Sequence, residues 1–408
     1  MDPKPLKRWM LGWLSLAMAL QLTGCWDQVE IENRALVLGL AIDEAPPESV
    51  KKEPLVTHDT TEKLPKRMLR VTAQIAVPGR VPLGPSGGGM GSGNDGESPV
   101  WVVQVYGHSL DDALNNLQQE IADPKYLIHL RVIVISKGVA RDGLDELSDY
   151  LRRNPEVRRR TWLLVSEHEA AELMKVAPPL ERVPTLYLQA MVEKAVNMGK
   201  LPPNYLGEFW IEESNWGQDG YLPYVTIHGE ENILIEGLAY FSGGRLVGTC
   251  SAIEIGGYMA IKGFNPGGYS VLLPIPGQGY VVVKITERHA TTDVRIEEGK
   301  PHVYLNMHVE GLLDEHYDSG QDMNSEQEID RIEEVFDQKA TAVIQKLLKQ
   351  TQRDQSDIFG FGEYVRALHP GFWKRNIHEK RDWERMYADL PLSIHMNITI
   401  RRTGLKAK

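Results

Sequence analysis

Val132-Ile133-Val134-Ile135 is an unbroken run of β-branched apolar residues, entered from Leu130 and left through Ser136 and Lys137. A strand with one wet face alternates apolar and polar residues, whereas a run without alternation has both faces covered. Side chains branched at Cβ also fit a pleated sheet better than a helix. Leu130 to Ile135 is therefore expected to be a strand buried on both faces.

Outward from it, the flanks alternate as such a sheet requires. Upstream lie strand-like segments Ala35 to Asp43, Met68 to Val77 and Val100 to Tyr106, then a helix from Ser109. Ser109 and Asp112 form a capping-box-like pair, and Leu110, Ala113, Leu114, Leu117 and Ile121 share one helical stripe. Downstream come a helix around Leu144, Leu147 and Leu151, a strand Thr161 to Val165, and helices near 168–176 and 186–198. The pattern predicts a mixed sheet covered by helices over residues 26–200. Two stretches interrupt it as loops. Residues 45–66 are rich in Pro, Glu, Lys and Thr. Gly79 to Pro99 includes Gly87-Gly88-Gly89 but lacks the Gly-Lys-Ser/Thr of a phosphate loop.

Pro202-Pro203 marks a boundary. Beyond it, Ile233 to Phe241, the turn Ser242-Gly243-Gly244 and Arg245 to Gly248 read as a hairpin. Glycine patches at Gly256-Gly257 and Gly267-Gly268 then close a small β-rich domain, 201–270. Residues 271–408 show strands at 280–288, 292–297 and 302–310. The box Ser325-Glu326-Gln327-Glu328 follows and opens a long helix with Ile329, Ile332, Phe336, Ala340, Val343 and Leu347 on one stripe. The last segment alternates Leu392, Ile394, Met396, Ile398 and Ile400 with polar residues, a strand with one buried face. The expected class is α+β in three domains: the mixed sheet with its helices, the small β-rich domain, and an antiparallel sheet packed on the long helix.

The N-terminus carries a different signal. Lys4, Lys7 and Arg8 precede the apolar run Trp9 to Leu20, which ends in Leu22-Thr23-Gly24-Cys25. The run is short of the roughly 20 residues a membrane span needs. A basic start, a short apolar stretch and small residues before a cysteine make a secretory signal. Leu22, Thr23, Gly24 and Cys25 resemble a bacterial lipobox. In that reading residues 1–24 are removed, and the Cys25 thiol carries a diacylglyceryl group with palmitate-like acyl chains.

Charge narrows the partners. The chain is −11, and residues 1–24 contribute +2 (Lys4, Lys7 and Arg8 against Asp2), leaving −13 from Cys25 onward. So acidic a chain excludes a nucleic-acid partner and electrostatic attachment to anionic lipid, and attachment falls to the acyl chains. The only other cysteine is Cys250, so no intramolecular disulfide and no cysteine metal cluster can form. Cys250 reads as a small buried apolar residue in a strand.

Candidate chemistry is sparse. His168-Glu169-Ala170-Ala171-Glu172 lacks the second histidine of a zinc-protease helix. Glu212-Glu213 and Glu230-Glu231 are adjacent pairs, whose side chains point apart. His302 and His308 are explained by a polar strand face, no Gly-x-Ser-x-Gly elbow occurs, and no metal or cofactor is implied. The most unusual segment is Asp357-Ile358-Phe359-Gly360-Phe361-Gly362, followed by Pro370 and Trp373-Lys374. Asp357 is placed to cap a helix, and the glycines allow close backbone approach. This reads as a short helix packed on the third domain's sheet. The alternative is an aromatic partner-docking surface built from Asp357, Phe359, Phe361 and Trp373.

Four stretches in order carry a family resemblance: the lipobox with its Trp26-Asp27, the segment Leu38 to Asp43, the hairpin Gly237 to Gly248, and Asp357 to Gly362 with Trp373-Lys374. Thr403-Gly404 also fits. The chain resembles the Ger(x)C family, the C-subunit lipoproteins of bacterial spore germinant receptors. The Gly79–Pro99 loop is longer and richer in glycine than that family's pattern. The resemblance implies a non-enzymatic lipoprotein on the outer face of the spore inner membrane, working with an A subunit and a multi-span B subunit in nutrient-triggered germination. It carries over no catalytic residues and leaves open the germinant, whether this subunit binds it, the partner-facing surface and the stoichiometry. A second class is a lipoprotein that binds a small solute directly, with Trp210, Trp216 and Tyr221 as candidate lining. A third, an envelope hydrolase, lacks its nucleophile and metal motifs.

Overall fold

The computed structural model describes residues 30–52, 56–57, 67–77, 98–176, 181–229, 232–277, 279–317 and 326–401, together with Trp9 and Trp13. The lipobox, most of the 45–66 and 79–99 loops, Glu230-Glu231, Ser325 of the expected capping box and Thr403-Gly404 lie outside the described residues.

The larger sheet is built on β1 (Ala35–Glu44), which pairs antiparallel with β2 (Leu69–Ala76) and parallel with β5 (Val132–Ser136). β3 (Val100–Gly107) flanks β2, and the short β4 (Lys125–Tyr126) joins the start of β1. β6 (Trp162–Ser166) continues beyond β5 in parallel. Neighbouring residues in these strands alternate between two cores, as an interior strand must. Val132, Val134, Trp162 and Leu164 point to one. Ile133, Ile135, Leu163 and Val165 point to the other.

The second of these faces is covered by α1 (Leu110–Glu120), α2 (Lys137–Asp142), α3 (Asp145–Arg153) and α6 (Leu206–Ser214). Ser109 caps α1 as expected, its Oγ accepting from the Asp112 N–H. The opposite face is covered by α4 (Ala170–Leu173) and α5 (Pro184–Asn197), and then by α7 (Ala252–Lys262) from the later part of the chain.

Four expectations change here. The hairpin strands β8 (Asn232–Ser242) and β9 (Arg245–Ser251) do not make a small sheet of their own. β7 (Tyr221–His228) pairs parallel with β6, and β8 and β9 follow, so the larger sheet runs without a break from β3 to β9. An unpaired β6 edge would leave its N–H and C=O groups bare, and β7 pairs with the end of that edge, Val165 opposite Tyr224 and Ser166 opposite Val225. The predicted turn itself is present, with φ of +56° and +72° at Gly243 and Gly244. The Gly256-Gly257 patch, read as a domain end, lies inside α7, whose start is fixed by a capping box between Ser251 and Glu254. The segments 280–288 and 292–297 are one strand, β11 (Gly279–Glu297), bent by two register shifts.

The smaller sheet, in the order β10 (Ser270–Ile275), β11, β12 (Lys300–Tyr317), β13 (Leu392–Arg401), is mixed and not purely antiparallel. β13 runs parallel to β12 because the chain returns by a long helical crossover, which parallel neighbours require. That crossover is α8 (Glu326–Arg353), α9 (Phe361–Leu368), α10 (Pro370–Asn376) and α11 (Lys380–Ala388). The first half of α8 packs Ile332 and Phe336 on Val283, Ile285, Ile398 and Ile400 of this sheet. Its second half packs Ile344, Leu347 and Leu348 into the core shared with the larger sheet. One long helix thus locks both sheets together. Among the described residues no helix is long and apolar enough to cross a membrane.

Candidate functional site

The Asp357 segment closes the gap between α8 and α9. Asp357 is buried, and its carboxylate accepts from the N–H of Gly360 (2.9 Å), the N–H of Gly362 (3.0 Å) and the Nε1–H of Trp383 (2.9 Å). It therefore caps the start of α9 and ties α11 to it. Burial lifts its pKa to about 6 against the lowering pull of those donors. Its backbone is tied to the larger sheet's connections: the Asp219 N–H donates to the Asp357 carbonyl, and the Asp357 N–H donates to Asp219 Oδ2, both at 2.9 Å. Lys380 of α11 lies 2.9 Å from Asp219 Oδ1. At Gly362 a Cβ would sit 2.5 Å from both Trp383 Cε2 and Gly217 Cα, so only glycine allows this approach.

The rings follow the same inward logic. Phe359 stacks on Phe361 at 5.2 Å, Trp373 packs against Trp383 at 5.5 Å, and all four are buried. Asp357, Phe359, Phe361 and Trp373 are thus interior residues, and the docking surface expected from them is not on the outside of this structure. Their apolar area is spent on the joint between the two sheets.

The proposed solute-binding aromatics do not converge either. Tyr221 is buried on one face of the larger sheet beside Tyr258, Trp210 is buried on the other beside Arg152, and Trp216 is exposed. The remaining candidates scatter. Glu212 bonds Asn204 while Glu213 bonds the Gly220 N–H, so the pair points apart as predicted. His168 precedes a helix of four residues, and His302 Nε2 lies 2.9 Å from Ser393 Oγ. Cys250 is buried, and burial pushes its thiol up to about 12.

The structure instead shows a cavity that the sequence did not point to. It lies between α7, α8 and the smaller sheet, with a volume of about 290 Å³. Ile253, Ala260, Phe336, Val343 and Met396 line it, along with Gly256, Arg288 and Lys339. The two glycines of α7 have separate tasks. A Cβ on Gly257 would meet Ile344 at 3.3 Å, so this residue sets the approach of α7 to α8. A Cβ on Gly256 would meet nothing within 4 Å and faces open space.

Arg288 reaches this face through the bulge at Thr286. Ile285 pairs Gly311 and Glu287 pairs Glu310, so one extra residue reverses the alternation and turns Arg288 inward after Ile285. Its guanidinium donates to the carbonyls of Phe264 (3.0 Å), Pro266 (3.2 Å) and Gly267, and burial lowers its pKa to about 10. A bulge is invisible to a period count, which is why this residue was missed.

The description "Spore germination protein N-terminal domain" matches residues 27–227, and "Spore germination B3/ GerAC like, C-terminal" matches 236–404. Spore germination protein KC of Bacillus subtilis is 23% identical over 98% of this chain and 97% of its own. Spore germination protein B3 of the same organism is 24% identical over 96% and 97%, and YndF is 25% identical over 94% of each. Among solved structures, the crystal structure of the GerBC protein shares the fold with a TM-score of 0.54 at 16% identity, covering 83% of this chain and 95% of that one.

Proposed function

The chain belongs to the GerAC-like family of spore germination proteins, and from that premise we propose that it is the lipid-anchored, non-enzymatic C subunit of a spore germinant receptor. The observation that carries this reading is the placement of the family match. It covers residues 27–227 and 236–404, so the first matched segment begins two residues past Cys25. That start is where the mature part of a processed lipoprotein would begin. The acidic chain, at −13 from Cys25, supports attachment through acyl groups over attachment by charge.

In this reading the mechanism is positional. The Cys25 lipid confines the domains to the outer face of the spore inner membrane and raises their effective concentration towards A and B subunits. The joint built around Asp357 and α8 keeps the two sheets in one orientation, so that any surface presented to those partners has a defined shape. Domain limits of 26–200, 201–270 and 271–408 remain part of the proposal, with the second unit sharing the larger sheet of the first.

The test is Cys25→Ala in sporulating cells, with fractionation of spore membranes and co-purification of A and B subunits. The variant is expected in the soluble fraction, with weaker germination and no recovered partners. Full retention in the inner membrane would overturn the anchoring claim. A second reading, direct binding of a small solute, is favoured by a separate observation, the cavity beside α7.

A further inference from the structure

We propose that the cavity between α7, α8 and the smaller sheet is a binding site for a small amphiphilic carboxylate, an apolar body ending in one anionic group. The volume of about 290 Å³ sits at the lower edge of small-molecule sites, which run from about 300 to 1,000 Å³. The wall is hydrocarbon for most of its area, which selects an apolar body.

The charged groups select the head. Arg288 and Lys339 line the cavity, and none of the lining residues is acidic. Arg288 is buried at 2% exposure, and among the described residues no carboxylate lies within 4.0 Å of it. A buried cation without a counter-charge is costly, and carbonyl dipoles compensate only in part. Those carbonyls account for three of the five N–H donors of the guanidinium, leaving the Nε–H and one Nη2–H. Such donors suit the oxygens of a carboxylate, with which arginine makes its strongest hydrogen bonds. Lys339 is exposed and likewise has no carboxylate partner among the described residues, which places a second cation at the open end.

The same inventory argues against other solutes. A zwitterionic amino acid would bring an ammonium group that no lining carboxylate receives. A sugar would bring hydroxyls to an apolar wall, each costing desolvation. A neutral hydrocarbon would fit the wall and leave Arg288 as it is.

The experiment is equilibrium dialysis of radiolabelled octanoate against the full chain in lipid nanodiscs, with empty nanodiscs subtracted. Octanol, octylammonium and leucine serve as competitors. Octanoate is expected to bind saturably at one site per chain, with octanol at least tenfold weaker and octylammonium and leucine ineffective. Gly256→Leu fills the cavity from a position where a Cβ meets nothing, so it should abolish binding while circular dichroism stays unchanged. Lys339→Gln should weaken binding several-fold. No saturable octanoate binding, or full binding in Gly256→Leu, overturns the site. Octanol or leucine binding as tightly as octanoate overturns the assignment of its ligand. This site stands apart from the receptor role, since membrane retention of Cys25→Ala would leave the dialysis result unaffected.

Discussion

Replacing Asp357 with alanine tests the joint between the two sheets. The change removes the acceptor for three buried donors: the N–H groups of Gly360 and Gly362 and the Trp383 indole. Each buried donor left unpaired costs about 1–3 kcal/mol. Gly360 keeps a long contact of 3.4 Å to the Asp357 carbonyl, which lowers its share. The expected loss at pH 7 is about 3–5 kcal/mol, read from urea unfolding by tryptophan fluorescence and circular dichroism. The pH dependence adds a second reading. The pKa of Asp357 rises from 3.8 to about 6 on folding, so the native state holds its proton more tightly than the unfolded chain. That contribution to stability is complete below pH 3.8 and is lost as pH rises through about 6. Wild type should therefore gain on Asp357→Ala by a further amount on the order of 3 kcal/mol as pH falls from 7 to 4. A loss below about 1 kcal/mol at pH 7, or a gap between the two proteins that does not widen on acidification, would refute the assignment of Asp357 as a buried cap.

Three further outcomes follow from particular contacts. Gly256→Ala should stabilise the chain by about 1 kcal/mol, because α7 gains helix propensity and the new methyl meets nothing. Gly257→Leu, one residue on, should destabilise by about 1–3 kcal/mol by pushing α7 off Ile344, and thermal unfolding of the pair separates the two roles. Asp43→Ala strips the acceptor from the N–H groups of Ala170 and Ala171 and should cost about 2–4 kcal/mol in urea unfolding. Unchanged stability there would show that the start of α4 is held by other contacts.

How much of this was legible depended on the range of the interaction. Val132 to Ile135 announced a doubly covered strand because burial on both faces removes any need for polar residues, and β5 lies at the middle of the larger sheet. Ser109 and Asp112 announced α1 because a cap is made within four residues. α7 was missed because two glycines oppose helix locally, and their value appears only where α8 and the cavity meet them. β7 was missed because Pro223 interrupts Tyr221-Leu222-Pro223-Tyr224, and a proline cannot donate to a sheet ladder and so reads locally as a strand breaker.

The sequence by itself determined the alternating plan of the first half, the start of α1, the β8–β9 turn and the acidic balance, since all of these are composed of near neighbours or of totals. Only the tertiary structure decided that the hairpin extends the larger sheet, that β13 runs parallel to β12, and that the Asp357 aromatics face inward. It also decided that a bulge at Thr286 brings Arg288 to an apolar cavity. Those outcomes depend on which edges, carbonyls and rings meet across long separations, 22 residues for Arg288 and the Pro266 carbonyl and 89 for Val303 and Leu392, and a pairing at such distances leaves no local period to read.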